Sequence, residues 1–138
     1  KTLVHMLAGF NVKFIAHDHN PDIAFSKLYN IQLASKVDVL KYSDIVSVHV
    51  PLTQKTRDYI TFEELTLMQD HAILINTARG GVVDEQALAG ALRAGRLGAA
   101  MCDQFGRRSI ACAGLAAISS SAASIAGRAC SAGLGICG

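Results

Sequence analysis

Short apolar runs alternate with amphipathic stretches along the first hundred residues of the chain. Four runs are short, apolar and bounded by polar residues, as is typical of buried strands: residues 13–17, 45–49, 72–75 and 97–102. Four stretches have helical periodicity: residues 1–10, 37–42, 62–68 and 84–94. A weaker helix-and-strand pattern covers residues 23–33. Strands that alternate with helices predict an α/β fold with a parallel sheet covered on both faces.

Local signals fix several of the element ends. Thr61 immediately precedes a helical pattern, and Glu64 lies three residues after Thr61. This spacing predicts an N-cap at Thr61 and a capping box with Glu64. Pro51 ends the run at residues 45–49, and Gly95 ends the last helical pattern.

The composition changes abruptly after Phe105. From Arg107 to Gly138 the chain uses only Ala, Gly, Ser, Cys, Ile, Leu and Arg, with no sustained period. We therefore expect residues 1–105 to form the domain and residues 106–138 to be a low-complexity tail, disordered or translated in a shifted reading frame. A membrane anchor at residues 110–127 is an alternative, although Ala, Ser and Gly give little transfer energy.

Size and charge narrow the functional class. A chain of 138 residues suits one domain, and a net charge of +2 is too small to argue for nucleic acid or an anionic membrane. Four cysteines without a Cys-x-x-Cys pair do not indicate a zinc or disulfide framework, so no metal site is predicted. The first ten residues carry a helical stripe and no secretory signal, which favours a reduced, cytoplasmic setting.

The segment after the run at residues 72–75 indicates a ligand site. The run breaks at Asn76-Thr77, and Arg79 precedes a Gly80-Gly81 pair that predicts a tight turn. Open α/β sheets bind ligands at the carboxyl ends of their strands. An arginine there can hold a carboxylate through two parallel hydrogen bonds.

An ordered set of segments makes a family resemblance specific. The segments are Asp44-Ile-Val-Ser-Val-His-Val-Pro-Leu-Thr53, Thr56-Arg57, Asn76-Thr-Ala-Arg-Gly-Gly-Val-Val-Asp84, Ala87-Leu88 and Ala91-Leu92. In this order they resemble the NAD-dependent D-2-hydroxyacid dehydrogenases, a family that includes phosphoglycerate dehydrogenases and hydroxypyruvate/glyoxylate reductases. The resemblance runs from residue 1 to about Phe105 and implies a Rossmann-like, doubly wound parallel sheet with NAD as its cofactor.

The resemblance also implies roles for individual residues. Asp18 would accept hydrogen bonds from the adenosine ribose and repel a 2′-phosphate, and Arg79 would orient the substrate carboxylate and polarise its keto group. The other cofactor contacts implied, from the adenosine side to the nicotinamide side, are Val50, Pro51, Thr56, Thr77, Ala78, Arg79 itself and Asp103.

Each of the main candidates has a structural alternative. Asp18 could be a solvated loop carboxylate, and Arg79 could pair with Asp84. For His49 we favour a strand-end histidine hydrogen-bonded to backbone over a catalytic role.

The chain also departs from the family pattern. Arg108 and Ser109 stand where the family has its catalytic glutamate and a proline, and the catalytic histidine falls on a segment that the chain does not contain. The first strand and the glycine-rich phosphate loop should immediately precede Lys1. We therefore expect an incomplete domain, with a gap or a re-paired sheet between the strands at 13–17 and 45–49. Unpaired buried backbone groups cost about 1–3 kcal/mol each, which predicts a molten or aggregated chain.

The function implied is that of a fragment of an oxidoreductase. It would transfer a hydride between NAD and a small D-2-hydroxy acid of the 3-phosphoglycerate or hydroxypyruvate/glyoxylate type, and would be inactive as given. The partners implied are a 2-hydroxy or 2-keto acid and, for the complete protein, a homodimer or larger assembly, with neither nucleic acid nor membrane. The alternative is a non-catalytic nucleotide-binding module resembling the transcriptional corepressors of this family.

Overall fold

The computed structural model describes residues 1–102 and 133–138, which form a single parallel sheet with helices on both faces. The strands are β1 (Lys13–His17), β2 (Gln32–Leu33), β3 (Ile45–Val48), β4 (Ile73–Asn76), β5 (Ala99–Cys102) and β6 (Gly133–Cys137). The helices are α1 (Thr2–Leu7), α2 (Ile23–Leu28), α3 (Lys36–Tyr42), α4 (Phe62–Leu67) and α5 (Glu85–Arg93). The predicted α/β, Rossmann-like parallel sheet is confirmed, and each element predicted within residues 1–102 is present.

The sheet has the strand order β2-β1-β6-β3-β4-β5. Strand β6 lies between β1 and β3 and is parallel to both, with Gly135 opposite Ile15 on one side and Val46 on the other. Of the two outcomes expected at this place, a gap or a re-paired sheet, the structure has the re-paired sheet, and its added strand comes from the segment expected to be a low-complexity tail. Residues from the far end of the chain satisfy the backbone groups of β1 and β3 that would otherwise be unpaired.

Glycines allow β6 to fit beneath helix α3. A Cβ atom on Gly135 would lie 2.3 Å from Oγ of Ser43 and 2.7 Å from Cγ1 of Val39. Helix α3 therefore rests directly on the backbone of β6. The larger side chain of Leu134 belongs to the cluster with Val4 and Phe14, on the face of the sheet away from α3. Strand β6 therefore has small residues toward α3 and large residues toward this cluster.

The core consists of two apolar clusters. The larger cluster joins the sheet to α3, α4 and α5 through fully buried side chains that include Val39, Leu65 and Leu88. The smaller cluster joins it to α1 and α2 through Val4, Phe14 and Leu134, with Phe25 packed alongside. The helices therefore fall into two groups with separate cores, as in a doubly wound fold.

The predicted end signals are present in the structure. The side chain of Thr61 accepts from the N–H of Glu63 at 3.2 Å, and Glu64 accepts from the N–H of Thr61 at 2.9 Å, which completes the capping box. Gly81 and Gly95 have positive φ angles of 79° and 67°, so each glycine stands where the backbone turns into the left-handed region.

Several expectations fall outside the described ranges. These are the roles of Asp103, Arg108 and Ser109 and the possible anchor at residues 110–127. Within residues 1–102 and 133–138, no helix combines the length and the hydropathy that crossing a membrane requires.

Candidate functional site

A groove of about 550 Å³ lies at the carboxyl edge of the sheet. Its lining comes from the segments that follow β3 and β4, and consists of His49, Val50, Pro51, Leu52, Ala78 and Arg79. The strand order changes direction at β6, because β1 and β2 extend to one side of it and β3 to β5 to the other. Such a change of direction is where open α/β sheets place their ligands.

Buried Asn76 shapes the turn that carries Arg79. Its side-chain oxygen accepts from the N–H of Ala78 at 3.2 Å, and its side-chain nitrogen donates to the carbonyl of Arg79 at 2.9 Å. Asn76 is only 4% exposed, so this pair of bonds fixes the turn from the inside. Sequence reasoning treated Asn76 only as the end of the strand and missed this role.

The guanidinium of Arg79 is exposed at the mouth of the groove, where Nη1 donates to the carbonyl of Ala78 at 3.0 Å. The alternative in which Arg79 pairs with Asp84 is not found in the described residues. Asp84 instead caps helix α5 by accepting from the N–H groups of Gln86 and Ala87. A guanidinium has five N–H donors, so Arg79 retains donors for an anionic ligand.

His49 follows β3, and its main chain is bonded to β6. Its N–H donates to the carbonyl of Cys137 at 2.8 Å, and its ring nitrogen Nε2 shares a hydrogen bond of 2.9 Å with Oγ of buried Ser47. Although the residue keeps an exposed edge, partial burial of the ring lowers the pKa of His49. The imidazole is therefore neutral at pH 7, and the positive charge among the groove residues is that of Arg79. The expected side-chain bond to backbone is replaced by the bond to Ser47.

Asp18 follows β1 on the other side of β6. Its Oδ1 accepts from the N–H of Asn20 at 2.8 Å in a tight turn, and the carboxylate is exposed. The N–H of Gly138, which follows β6, donates to the carbonyl of His17 at 2.9 Å. A Cβ atom on Gly138 would lie 3.4 Å from Oδ2 of Asp18, so the end of β6 directly adjoins this carboxylate.

The remaining predicted residues within the described ranges fall into three groups. Val50 and Pro51 line the groove, whereas Thr56 closes the loop after them by donating to the carbonyl of Pro51 at 2.5 Å. Thr77 is exposed in the turn beside Ala78. The structure therefore brings Val50, Pro51, Ala78 and Arg79 together, puts Asp18 at the same sheet edge, and gives Thr56 a local hydrogen bond.

The described residues at this edge fit a dinucleotide better than a metal ion. An exposed carboxylate can accept from a diol, an apolar wall at Val50 and Pro51 can pack against a flat ring, and Arg79 supplies positive charge. Within residues 1–102 and 133–138, no cluster of three His, Cys, Asp or Glu side chains could hold a metal ion.

Residues 1–120 match the model of the D-isomer specific 2-hydroxyacid dehydrogenase NAD-binding domain. The chain is 43% identical over 97 residues to a glyoxylate reductase of Aeropyrum pernix, a match that covers 70% of the chain and 29% of that protein. It is 36% identical over 104 residues to a D-3-phosphoglycerate dehydrogenase of Methanocaldococcus jannaschii, covering 75% of the chain and 20% of that protein. The chain thus spans less than a third of the length of these relatives.

Solved structures agree with the sequence match. Apo D-mandelate dehydrogenase of Rhodotorula graminis superposes with a TM-score of 0.71 at 28% identity, covering 78% of the chain and 32% of that protein. D-lactate dehydrogenase of Aquifex aeolicus, complexed with NAD and lactic acid, gives a TM-score of 0.60 at 37% identity, covering 67% of the chain and 28% of that protein. The expected cofactor, NAD, is that of the matched domain. The chain belongs to the D-isomer specific 2-hydroxyacid dehydrogenase family, through its NAD-binding domain.

Proposed function

We propose that the chain forms the nucleotide-binding part of an NAD-linked D-2-hydroxyacid dehydrogenase. Such an enzyme moves a hydride between C2 of a small 2-hydroxy acid and the nicotinamide ring, while the hydroxyl proton passes to a base. The observation that carries the proposal is the groove at the carboxyl edge, with Arg79 at its mouth and Asp18 at the same edge. The substrates proposed are of the 3-phosphoglycerate or hydroxypyruvate/glyoxylate type, and the relatives that match include a glyoxylate reductase and a D-3-phosphoglycerate dehydrogenase.

The groove residues divide the task of holding NAD. Asp18 accepts from the ribose hydroxyls of the adenosine, Val50 and Pro51 form an apolar wall beside it, and Thr56 keeps that wall in place through its bond to Pro51. The family resemblance assigns Thr77 and Ala78 to the nicotinamide side, and gives the same role to Asp103, which falls outside the described residues. The nicotinamide supplies the redox chemistry, whereas the protein supplies position and charge.

Arg79 acts on the substrate. Its guanidinium holds the carboxylate and polarises the adjacent keto group, which withdraws electron density from C2 and favours hydride addition there. Neutral His49 does not compete with Arg79 for the carboxylate, because burial lowers its pKa.

The proposal predicts a preference for NADH over NADPH that depends on Asp18. The carboxylate of Asp18 repels the 2′-phosphate of NADPH. NADH should therefore bind at least about ten times more tightly than NADPH, which corresponds to about 1.4 kcal/mol in binding free energy. Asp18→Asn removes the charge and should abolish most of this difference. Calorimetric titration of the full chain with each nucleotide measures it, with Asp70→Asn as the control, because Asp70 is an exposed aspartate that pairs with Arg96 outside the groove.

Two results would count against the proposal. One is the absence of NADH binding to the full chain, and the other is an Asp18→Asn variant that discriminates as the wild type does. We also propose that the chain alone turns over neither hydroxypyruvate nor glyoxylate with NADH, since Arg108 stands where a catalytic glutamate is expected. Turnover by a sample free of host enzymes would refute this part.

A further inference from the structure

Strand β6 lies between the Asp18 turn and the segment from His49 to Pro51, which together with Arg79 form the proposed nucleotide groove. On one side, the N–H of Gly138 donates to the carbonyl of His17, next to Asp18. On the other side, the carbonyl of Cys137 accepts from the N–H of His49, next to Val50. The last two residues of the described chain therefore bond to both loops through main-chain atoms. Strands β1 and β3 do not pair with each other, so within the described residues β6 is the connection between them at this edge.

The opposite end of β6 is also held firmly. Asp44 precedes β3, its Oδ2 accepts from the N–H of Gly133 at 2.7 Å, and its own N–H donates to the carbonyl of Gly133 at 2.9 Å. The side chain of His71 bonds to the other oxygen of Asp44 at 2.9 Å. Because both ends of β6 are anchored, its register fixes where Gly138 and Cys137 meet the two loops.

The fit of β6 depends on Gly135. Three side-chain atoms of α3 and of the residue that follows it lie within 3 Å of where a Cβ would be, namely Oγ and Cβ of Ser43 and Cγ1 of Val39. Such distances are shorter than real Cβ contacts, so a methyl group at this position must turn the side chains of Ser43 and Val39 or displace the helix or the strand. Rotation cannot move Cβ of Ser43, which lies 2.9 Å away, so part of the clash falls on the backbone.

We propose that β6 is the positioning element of the nucleotide groove, holding the Asp18 turn and the segment from His49 to Pro51 at a fixed spacing, with Gly135 as the residue that permits it. This inference rests on the proposed function, since it concerns the same groove. It adds that the C-terminal strand, distant in sequence from the groove residues, determines their geometry. A change at Gly135 should therefore weaken NADH binding without altering any residue that lines the groove.

The test compares glycine-to-alanine substitutions in the full chain. Gly135→Ala should lower NADH affinity roughly tenfold or more and remove hydrogen-exchange protection at the amides of His49 and Gly138. The amide of Gly98, which precedes β5 and donates to the carbonyl of Ala72, should remain protected because it lies far from β6 in the strand order. Gly90→Ala is the matched control, because a Cβ there meets nothing within 4 Å.

A compensating background shows whether the effect comes from the contact with α3. The Val39→Ala/Ser43→Gly pair removes all three atoms that the new methyl group would meet. Adding Gly135→Ala to that background should lower NADH affinity less than twofold relative to the background alone. A further roughly tenfold loss in this background would overturn the role assigned to Gly135.

Other outcomes are equally decisive. NADH affinity within twofold of wild type in Gly135→Ala, with unprotected His49 and Gly138 amides, would overturn the proposal. If Gly135→Ala also exposes the Gly98 amide, the milder Gly133→Ala decides by the same criteria, because its Cβ would lie 3.3 Å from the carbonyl of Tyr42.

If the wild-type chain keeps its β6 amides protected but binds no NADH, the proposed function fails. Protection of the Asn20 amide, which bonds to Asp18, then reports on positioning: its loss in Gly135→Ala supports the role of β6, and its retention contradicts it.

Discussion

At the scale of single residues, Arg79 shows how a local sequence pattern and a buried partner combine. The pattern placed an arginine after a buried strand, and the structure puts it at the mouth of the groove. What the pattern did not predict is that Asn76 holds the turn with two side-chain hydrogen bonds. Such a role depends on the three-dimensional path of four residues, and an asparagine at a strand end has many other uses.

Arg79→Lys tests the role of the guanidinium. In the complete dehydrogenase, lysine keeps the charge but loses the planar pair of donors, so kcat/KM for 2-keto acids should fall roughly tenfold or more, about 1.4 kcal/mol in transition-state binding. Steady-state kinetics measure the fall in kcat/KM, and a separate titration measures the affinity for NADH. The affinity for NADH should change far less than kcat/KM.

Arg96→Lys is the control for that substitution, because Arg96 is exposed and pairs with Asp70 outside the groove. Normal turnover in Arg79→Lys, with a loss confined to NADH affinity, would show that Arg79 binds the cofactor and not the substrate.

At the scale of elements, capping chemistry was readable from sequence, whereas β6 was not. Thr61 and Glu64 were predicted as a capping box, and the structure has both hydrogen bonds. In contrast, β6 contains two glycines and a single β-branched residue, Ile136, so its strand preference is weak. Its place in the sheet is determined by two neighbouring strands and by the close approach of α3, which are tertiary contacts. The small–large alternation from Gly133 to Cys137 was the available signal.

Glu64 couples helix α4 to α3 and makes this contact sensitive to pH. Partial burial alone would raise the pKa of Glu64, but hydrogen bonds from Lys36 and Thr61 lower it to about 2. A carboxyl group whose pKa is lowered on folding stabilises the protein above its unfolded pKa, and this contribution disappears as the pH falls. The loss should therefore occur between about pH 4.5 and pH 2.

Glu64→Gln tests this linkage, because glutamine can keep the capping box but not the charge. The variant should be less stable at pH 7 by about 1 kcal/mol, and the difference from wild type should shrink as the pH falls below about 4.5. Urea unfolding at several pH values measures it, with exposed Glu63→Gln from the same turn as the control. A difference that stays constant down to pH 2 would contradict the assignment.

At the scale of the whole molecule, β6 changes the expected behaviour of the chain. The sequence predicted a molten or aggregated protein with a gap or a re-paired sheet between β1 and β3, and the structure has the re-paired sheet, which favours a folded chain. The fold class was predictable because residues 1–102 carry the alternation of strands and helices. The completed sheet was not, because its central strand comes last in the chain and is paired entirely at long range.

The central claim is that the chain folds around β6 and binds NAD at the carboxyl edge of the sheet. Titration of the ¹⁵N-labelled full chain with NAD, followed by amide NMR, tests both parts in one measurement. We predict a well-dispersed spectrum in which NAD shifts the amides of Asp18, Val50 and Arg79, while those of Asp44 and His71 at the amino edge stay in place. A poorly dispersed spectrum would contradict the fold, and shifts at the amino edge, or none at saturating NAD, would contradict the site.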